Sequence, residues 1–279
     1  MISPNRMRRA INPAVLAALF SLSVADAAIA QFEHPEIAKR RALERKSFTN
    51  AEIVDGFFKV AFGAELRVGG PADRIRKFDR PVRVFIDSRA RPDRRAEVDA
   101  AIADIRARVQ HLDIAATDKR EDASVEAILV RDRDLPSTLA KTYGSKRADE
   151  IERALQPQCL SSLIKDETFR IVHSRVILVV DAGQFVFSDC LYEELLQSLG
   201  PSNDTNVPWT MFNDEVQMGF FGVYDQYIMN ILYDPRIKPG MTGIEVSALL
   251  PEVLPSVRAW VAKINGLEES PEAVGQRQR

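Results

Sequence analysis

Histidine and cysteine are scarce in this chain, and charge of either sign is not in excess. The 279 residues include two cysteines and three histidines, His34, His111 and His173. Each histidine stands alone in its segment, so none has the paired spacing typical of a zinc site. Lysine and arginine number 38 against 40 aspartate and glutamate residues. This near-neutral balance argues against a nucleic-acid-binding protein, because such domains are usually basic.

Long apolar runs are missing after residue 30, so we expect no membrane span in the mature chain. Before that point, three arginines fall within the first nine residues, residues 14–24 carry no charge, and Ala28-Ile29-Ala30 supplies small residues for cleavage. This order predicts a signal peptide over residues 1–30, with cleavage after Ala30 and a periplasmic or secreted protein. A membrane anchor is the alternative, but it needs about 20 apolar residues.

The two cysteines, Cys159 and Cys190, predict a disulfide bond. Exported proteins meet an oxidising compartment, where a pair of cysteines is usually oxidised. Two free buried thiols are the alternative. The predicted bond would link the chain before the last strand to the start of a polar helix described below.

Hydrophobic periodicity predicts one α+β domain over residues 49–264. The charged segment 31–48 is interpreted as a linker or a loosely docked segment, and the polar tail 265–279 as disordered. Strands are predicted at 81–87, at 125–130 and at 171–180, the last as one strand or as two joined by a short turn. Helices are predicted from Thr49 or Asn50, from about Pro92, and over 137–155 with a break near Gly144, 189–199, 223–233 and 245–264, the last interrupted by proline.

The helix predicted at residues 189–199 carries an unusual polar arc. Leu191, Leu195 and Leu199 form its apolar stripe. Glu193, Glu194, Gln197 and Ser198 occupy the opposite arc, where Glu193 and Gln197 project together because they are four residues apart. An amphipathic helix with a solvated polar face is the simpler interpretation of this pattern.

The same residues resemble the zinc helix of metzincin peptidases, H-E-x-x-H-x-x-G-x-x-H followed by a Met-turn. In that register Glu193 and Gln197 stand at the first two histidine positions, and Glu194 stands at the catalytic glutamate. Gly200 matches the helix stop, and Asn203, with Asp204 beside it, takes the place of the third histidine. Downstream, the segment around Met211 looks like a Met-turn and residues 225–233 look like the helix that follows it.

The mature chain also resembles a family of exported bacterial proteins described only as a domain of unknown function. Two segments carry this resemblance: C-x-x-E-E-x-x-Q-x-L-G-x-x-N-D, present as Cys190 to Asp204, and Tyr233 to Met241 (YDPRIKPGM). Together the resemblances imply a zincin-like single domain, with a mixed sheet, a long backing helix, the site helix and a Met-turn-like loop. They also imply that Met211 lies buried beneath that helix.

All three zinc-ligand histidines are replaced, so the resemblance implies no zinc. Glu193, Gln197, Asn203 and Asp204 offer oxygen ligands, which suit a hard divalent cation such as Ca²⁺, Mg²⁺ or Mn²⁺ better than zinc. A hydrogen-bonded network that binds no metal is equally open, because the Gln197 amide can donate to Glu193 or Asp204. We expect these residues and Glu194 to converge on one polar site, since Gly200 lets the chain fold back toward the helix.

Two functions follow from this site, and a purely structural envelope protein is a third alternative. The first is a metzincin-like pseudo-peptidase that binds a peptide or an envelope-protein partner at a sheet edge. The alternative is a metal-dependent hydrolase that uses Glu194 as general base. The sequence favours the first, because it offers no nitrogen or sulfur ligand at the site.

Overall fold

A five-stranded mixed sheet organises the protein. The computed structural model describes residues 33–62, 73–155, 158–213 and 215–268. The strands are β1 (Val82–Ser88), β2 (Ile114–Thr117), β3 (Val125–Val130), β4 (Cys159–Lys165) and β5 (Ile171–Val179). Their order across the sheet is β2-β1-β3-β5-β4, with β4 antiparallel to β5 and all other neighbours parallel. β2 and β4 are therefore the edge strands.

Eight α-helices surround the sheet in the described part of the chain. They are α1 (Pro35–Ala42), α2 (Asn50–Ala61), α3 (Arg95–Arg108), α4 (Leu135–Tyr143), α5 (Ser145–Leu155), α6 (Gln184–Gln197), α7 (Val223–Tyr233) and α8 (Gly243–Asn265). This is a single α+β domain, as the periodicity predicted. None of these helices combines the length and the apolarity needed to cross a bilayer.

The two faces of the sheet are covered unequally. One face buries alternate strand residues such as Val84 and Val176 in the main core, against α3, α6 and α7. On the other face, α4 and α5 cover one corner, where Leu139 and Ile151 pack on Ile177. The small second cluster follows from the period-2 alternation of strand side chains, which sends every other residue to each face.

Several elements lie where the sequence predicts them. Thr49 caps α2 in a capping box with Glu52, whose carboxylate accepts from the Thr49 backbone N–H at 2.8 Å. β3 and α7 coincide with their predicted ranges, and α4 and α5 are separated at Gly144. Local signals suffice for these elements because caps, glycines and apolar periodicity act within a few residues.

Other elements differ from prediction. β2 and β4 have no clear alternation, since β2 is short and both are edge strands, and the sequence did not reveal them. α6 begins at Gln184 rather than near Asp189, directly after Gly183, whose φ is 101°. α8 is one continuous helix with Pro251 and Pro255 inside it. Buried side chains along its inner face, including Val253 and Val257, hold the helix on the core despite the missing backbone donors.

The central part of residues 31–48, predicted as a linker or a loosely docked segment, is helical. Residues 35–42 form α1, in which Ile37 is buried. The Arg41 guanidinium lies 4.3 Å from the centre of the Phe220 ring. Arg40 lies over the Phe185 ring at 4.9 Å and donates to the Gln217 carbonyl. Because charged side chains make most of these contacts, the helix shows little hydrophobic periodicity. The predicted signal peptide and residues 269–279 of the predicted tail lie outside the described residues.

Candidate functional site

A disulfide bond fixes α6 against edge strand β4. The sulfur atoms of Cys159 and Cys190 lie 1.99 Å apart, and their Cα atoms 5.8 Å apart. The predicted disulfide is therefore present. It joins the first residue of β4 to the middle of α6, rather than to the helix start, because α6 extends further toward the N-terminus than predicted. The bond holds together the two elements that carry the polar side chains described next.

The chain leaves the site helix at a position that only glycine fits. Gly200 has a φ of 142°, and a Cβ atom there would lie 2.3 Å from the Arg76 carbonyl oxygen. Side chains of neighbouring elements donate hydrogen bonds to two carbonyl groups at the helix end. Ser174 Oγ donates to the Ser198 carbonyl at 2.7 Å, and the Tyr233 hydroxyl donates to the Leu199 carbonyl at 2.8 Å. The helix end and the bend after it are thus held from three directions.

Gln197 lies at the centre of a buried polar network. Its side chain is 5% exposed. Gln197 Oε1 accepts a hydrogen bond from Ser161 Oγ of β4 at 3.1 Å, and Gln197 Nε2 donates to Asp204 Oδ1 at 3.2 Å. The amide uses one donor and its acceptor in this way, which is the arrangement that offsets its loss of water. The network joins the edge strand, the site helix and the loop after Gly200.

The two glutamates of α6 differ in burial. Glu194 is buried, whereas Glu193 is half-buried. Tyr143, at the end of α4, shares a 2.9 Å hydrogen bond with Ser162 of β4. Burial raises the pKa of the Tyr143 hydroxyl, the Ser162 hydrogen bond opposes that rise, and the negative charge of Glu194 adds to it. Glu194 therefore lies within electrostatic reach of Tyr143, at the same edge of the sheet.

The loop after Gly200 brings back one of its two predicted site residues. Asp204 joins Gln197, as described above. Asn203 Nδ2 instead donates to the Lys59 carbonyl at 2.7 Å and to the Asp204 carbonyl at 3.0 Å. Lys59 belongs to α2, so Asn203 anchors the loop to that helix. The structure thus brings Gln197 and Asp204 into direct contact and directs the Asn203 amide to α2.

The Met-turn-like segment is held by a buried aspartate. Met211 is 3% exposed, and its backbone N–H donates to Asp225 Oδ2 at 3.2 Å. Thr210 Oγ1 donates to the other carboxylate oxygen of Asp225. Burial raises the pKa of Asp225 to about 7, although the hydrogen bonds from Thr210 and Met211 oppose the shift. An aspartate inside the apolar run of α7 was the sequence signal for this contact.

A second buried carboxylate holds the same stretch of chain. Asp189 of α6 accepts from the Gly219 backbone N–H at 2.7 Å. Burial raises the pKa of Asp189 to about 6, against the opposing effect of this hydrogen bond. Asp189 and Asp225 therefore fasten the polypeptide between Gly200 and α7 at two points. Sequence reasoning missed both of these roles, and also the roles of Tyr143 and Ser161, because each depends on contacts distant in sequence.

The amides at two of the predicted ligand positions are engaged with protein groups. In the part of the chain that the structure describes, no group of three or more His, Cys, Asp and Glu side chains is arranged to hold a metal ion. Both polar atoms of the Gln197 amide are engaged by Ser161 and Asp204, and the Asn203 amide donates to backbone carbonyls. The arrangement can present fixed hydrogen-bonding groups and one buried carboxylate, Glu194, beside an edge strand.

Comparison with known proteins identifies one match. The model of a family described as "Protein of unknown function (DUF2927)" matches residues 50–252. This range includes every strand, the polar network and the Met-turn-like segment. No curated protein and no solved structure matches the chain.

Proposed function

The chain belongs to the DUF2927 family of proteins of unknown function, and we propose that it is an exported binding module that captures an extended peptide segment of an envelope partner. The peptide adds to the free edge of β4 beside α6. In this proposal the domain is a metzincin-like pseudo-peptidase, with Gln197 and its hydrogen-bonded neighbours in place of a metal centre.

The observation that carries the proposal is the open edge of β4. Within the described residues, β4 pairs with a strand on one side only. Just before β4, the Val179 N–H donates to the Gln158 carbonyl at 3.2 Å. Antiparallel strands direct backbone groups toward the partner at every second residue. Ser161 and Leu163 lie three and five residues after Gln158, so their backbone N–H and C=O groups point away from β5. An incoming strand can form hydrogen bonds with these groups.

The edge is also built to receive an apolar side chain. Ile164, near the end of β4, is 58% exposed. Natural edge strands are usually protected by charge, proline or a covering element. An isoleucine left exposed on such a strand supports a role in binding, because a partner strand would bury it.

Rigidity of the edge favours binding further. The Cys159–Cys190 bond and the Ser161–Gln197 hydrogen bond tie β4 to α6 at two points. A preorganised edge loses little conformational entropy when a peptide adds to it. The closed network at Gln197 also favours binding over metal-dependent hydrolysis, since the amide is already engaged with protein groups.

Peptide selection followed by hydrogen exchange tests the proposal. A displayed library of random linear peptides is selected against the purified protein, and an enriched peptide is synthesised. Its binding should slow amide hydrogen exchange in residues 159–165, because the outward N–H groups of β4 become hydrogen-bonded. Unchanged exchange across β4 with the peptide bound would place recognition elsewhere and refute the edge-strand mode.

A pair of matched variants checks the same edge by affinity. Ile164→Lys should weaken binding of the peptide about tenfold, because an edge lysine opposes strand addition. Ile244→Lys is the control, since Ile244 is 84% exposed on α8 rather than on the sheet. Equal loss of affinity in both variants would contradict the proposal.

The alternative function is a metal-dependent hydrolase with Glu194 as general base. Mass spectrometry of the bound peptide after incubation with Mg²⁺, Ca²⁺ or Mn²⁺ distinguishes the two. We expect an intact peptide. Cleavage by the wild-type protein that disappears in Glu194→Gln would instead support the hydrolase.

A further inference from the structure

A cleft of about 710 Å³ lies where β1 and β2 begin, away from the polar network at Gln197. Its walls come from the chain before β1, the chain before β2, the turn between β4 and β5, and the segment after α7. The residues that matter for its chemistry are Lys77, Asp79, Arg80, Asp113, Arg170 and Lys238. None of them belongs to the site at α6.

The acidic residues of this cleft are already neutralised. Asp79 forms an ion pair with Arg170 at 2.7 Å, and Asp113 forms one with Arg83 at 3.0 Å. These pairs leave Lys77, Arg80 and Lys238 as the excess positive charge. Within the described residues, none of these three side chains has a carboxylate at ion-pair distance.

Lys77 is the most unusual of the three because it is buried. Lys77 is 5% exposed. Its ammonium group donates to the Leu232 carbonyl at 2.7 Å and to the Asp234 carbonyl at 3.2 Å. An ammonium has three donors, so two carbonyls leave one available. Burial, followed by the charge of Lys238, lowers the pKa of Lys77 to about 8, and the charges of Asp234 and Asp79 oppose the shift. A buried cation without a carboxylate at ion-pair distance is costly, and a bound anion would offset that cost.

The other two cations complete the arrangement. Arg80 donates through Nη2 to the Val172 carbonyl at 2.6 Å, which fixes the guanidinium and leaves its remaining donors for a ligand. Lys238 is exposed, and its charge reaches Lys77 across the cleft. One buried cation, one anchored cation and one exposed cation thus surround the same space.

The segment Tyr233 to Met241, which supports the family resemblance, builds one wall of this cleft. Its backbone is fastened to the chain before β1 by two hydrogen bonds. Ile75 N donates to the Met241 carbonyl at 2.9 Å, and Gly240 N donates to the Ile75 carbonyl at 2.8 Å. Lys77 and Lys238 are therefore held opposite each other by a common scaffold.

We propose that this cleft binds a small multivalent oxyanion ligand, one that carries a phosphate or several carboxylate groups, through Lys77, Arg80 and Lys238. Lysine provides point charges for such groups and arginine provides a directional fork. This binding is independent of the peptide site, and the protein holds both.

Thermal unfolding with defined anions tests the proposal. The purified protein is titrated with inorganic phosphate or with citrate, and with sodium chloride at matched ionic strength. A ligand that binds only the folded state raises the unfolding temperature in a saturable way. Saturation with phosphate alone identifies a phosphorylated ligand, and saturation with citrate alone identifies a polycarboxylate. No shift beyond that of sodium chloride with either anion overturns the proposal.

Charge-removing variants locate the binding. Lys238→Met and Arg80→Gln should each raise the dissociation constant of the anion about tenfold, the effect of losing one charge-assisted contact. Lys141→Met, at an exposed lysine of α4, is the matched control and should bind as the wild type does. Binding unchanged in both Lys238→Met and Arg80→Gln would show that the anion binds elsewhere and overturn the assignment.

Discussion

Gln197 of α6 accepts a hydrogen bond from Ser161 of edge strand β4 at 3.1 Å, and this contact joins the helix and the strand that form the candidate peptide site. We expect Gln197→Ala to lower the free energy of unfolding by about 1 to 3 kcal/mol, because it leaves buried partners without a hydrogen bond. A double-mutant cycle with Ser161→Ala should give a coupling energy of about 0.5 to 1.5 kcal/mol. Chemical denaturation measures all four proteins.

Ser162→Ala is the control for this cycle. Ser162 is adjacent to Ser161 in the strand, but its hydroxyl bonds to Tyr143 on the other side of the sheet. Its effect should therefore add to that of Gln197→Ala. A coupling as large for Ser162 as for Ser161 would mean that the substitutions perturb β4 as a whole.

Removal of the Cys159–Cys190 bond should destabilise the protein. Replacing both cysteines by alanine opens a loop that spans 31 positions, and the chain-entropy model predicts a loss of roughly 3 to 4 kcal/mol. Guanidinium denaturation of the double variant measures the loss, with the wild-type protein in reductant as a second reference. Equal unfolding free energies with and without the bond would contradict this expectation.

Truncation of Met211 should be costly. Met211→Ala removes a buried side chain, and such changes lower the unfolding free energy by about 2 to 5 kcal/mol. Met241→Ala, at a half-buried methionine, should cost less. Similar denaturation midpoints for the two variants would mean that Met211 contributes little to packing beneath the loop.

Asp225 should make stability depend on pH near neutrality. Because its folded pKa of about 7 is raised above 3.8 by burial, its stabilising contribution is full below about pH 4 and is lost as pH rises through 7. The loss between about pH 5 and pH 8 amounts to roughly 3 kcal/mol. Asp225→Asn should flatten this slope and be more stable than the wild type at the higher pH.

The measurement is urea denaturation across that pH range. Asp189, whose pKa is raised to about 6 by burial, contributes a slope of the same sign, so the flattening will be partial. Asp118→Asn, at an exposed aspartate, is the control and should keep the wild-type slope. An unchanged slope in Asp225→Asn would show that this carboxylate does not titrate near neutrality.

Only part of the candidate peptide site could be predicted from the sequence. The helix stop at Gly200 and the contact between Gln197 and Asp204 agree with local reasoning. Gln197, Gly200 and Asp204 all lie within one stretch of eight residues. The role of Asn203 differs, since its amide donates to the Lys59 carbonyl of α2. No local signal could reveal that neighbour, because 144 residues separate the two in sequence.

The polar arc of α6 shows where sequence patterns fail. Its charged and amide residues are typical of a solvated helix face, yet Glu194, Gln197 and Ser198 are buried. β4 and the loop after Gly200 contribute Ser161 and Asp204, which cover that arc and satisfy part of it. A hydrophobic pattern identifies a polar face but not what packs against it.

The sequence by itself determined the features that depend on residues close to one another in the chain. These are the capping box at Thr49, the helix break at Gly144, the apolar periods of α3 and α7, and the two cysteines available for one bond. The tertiary structure alone decided that β4 is an edge strand, that Asp225 is buried under the Met-turn-like segment, and that three cations share one cleft. Each of these requires segments far apart in sequence to meet, and residue spacing along the chain carries no record of such long-range packing.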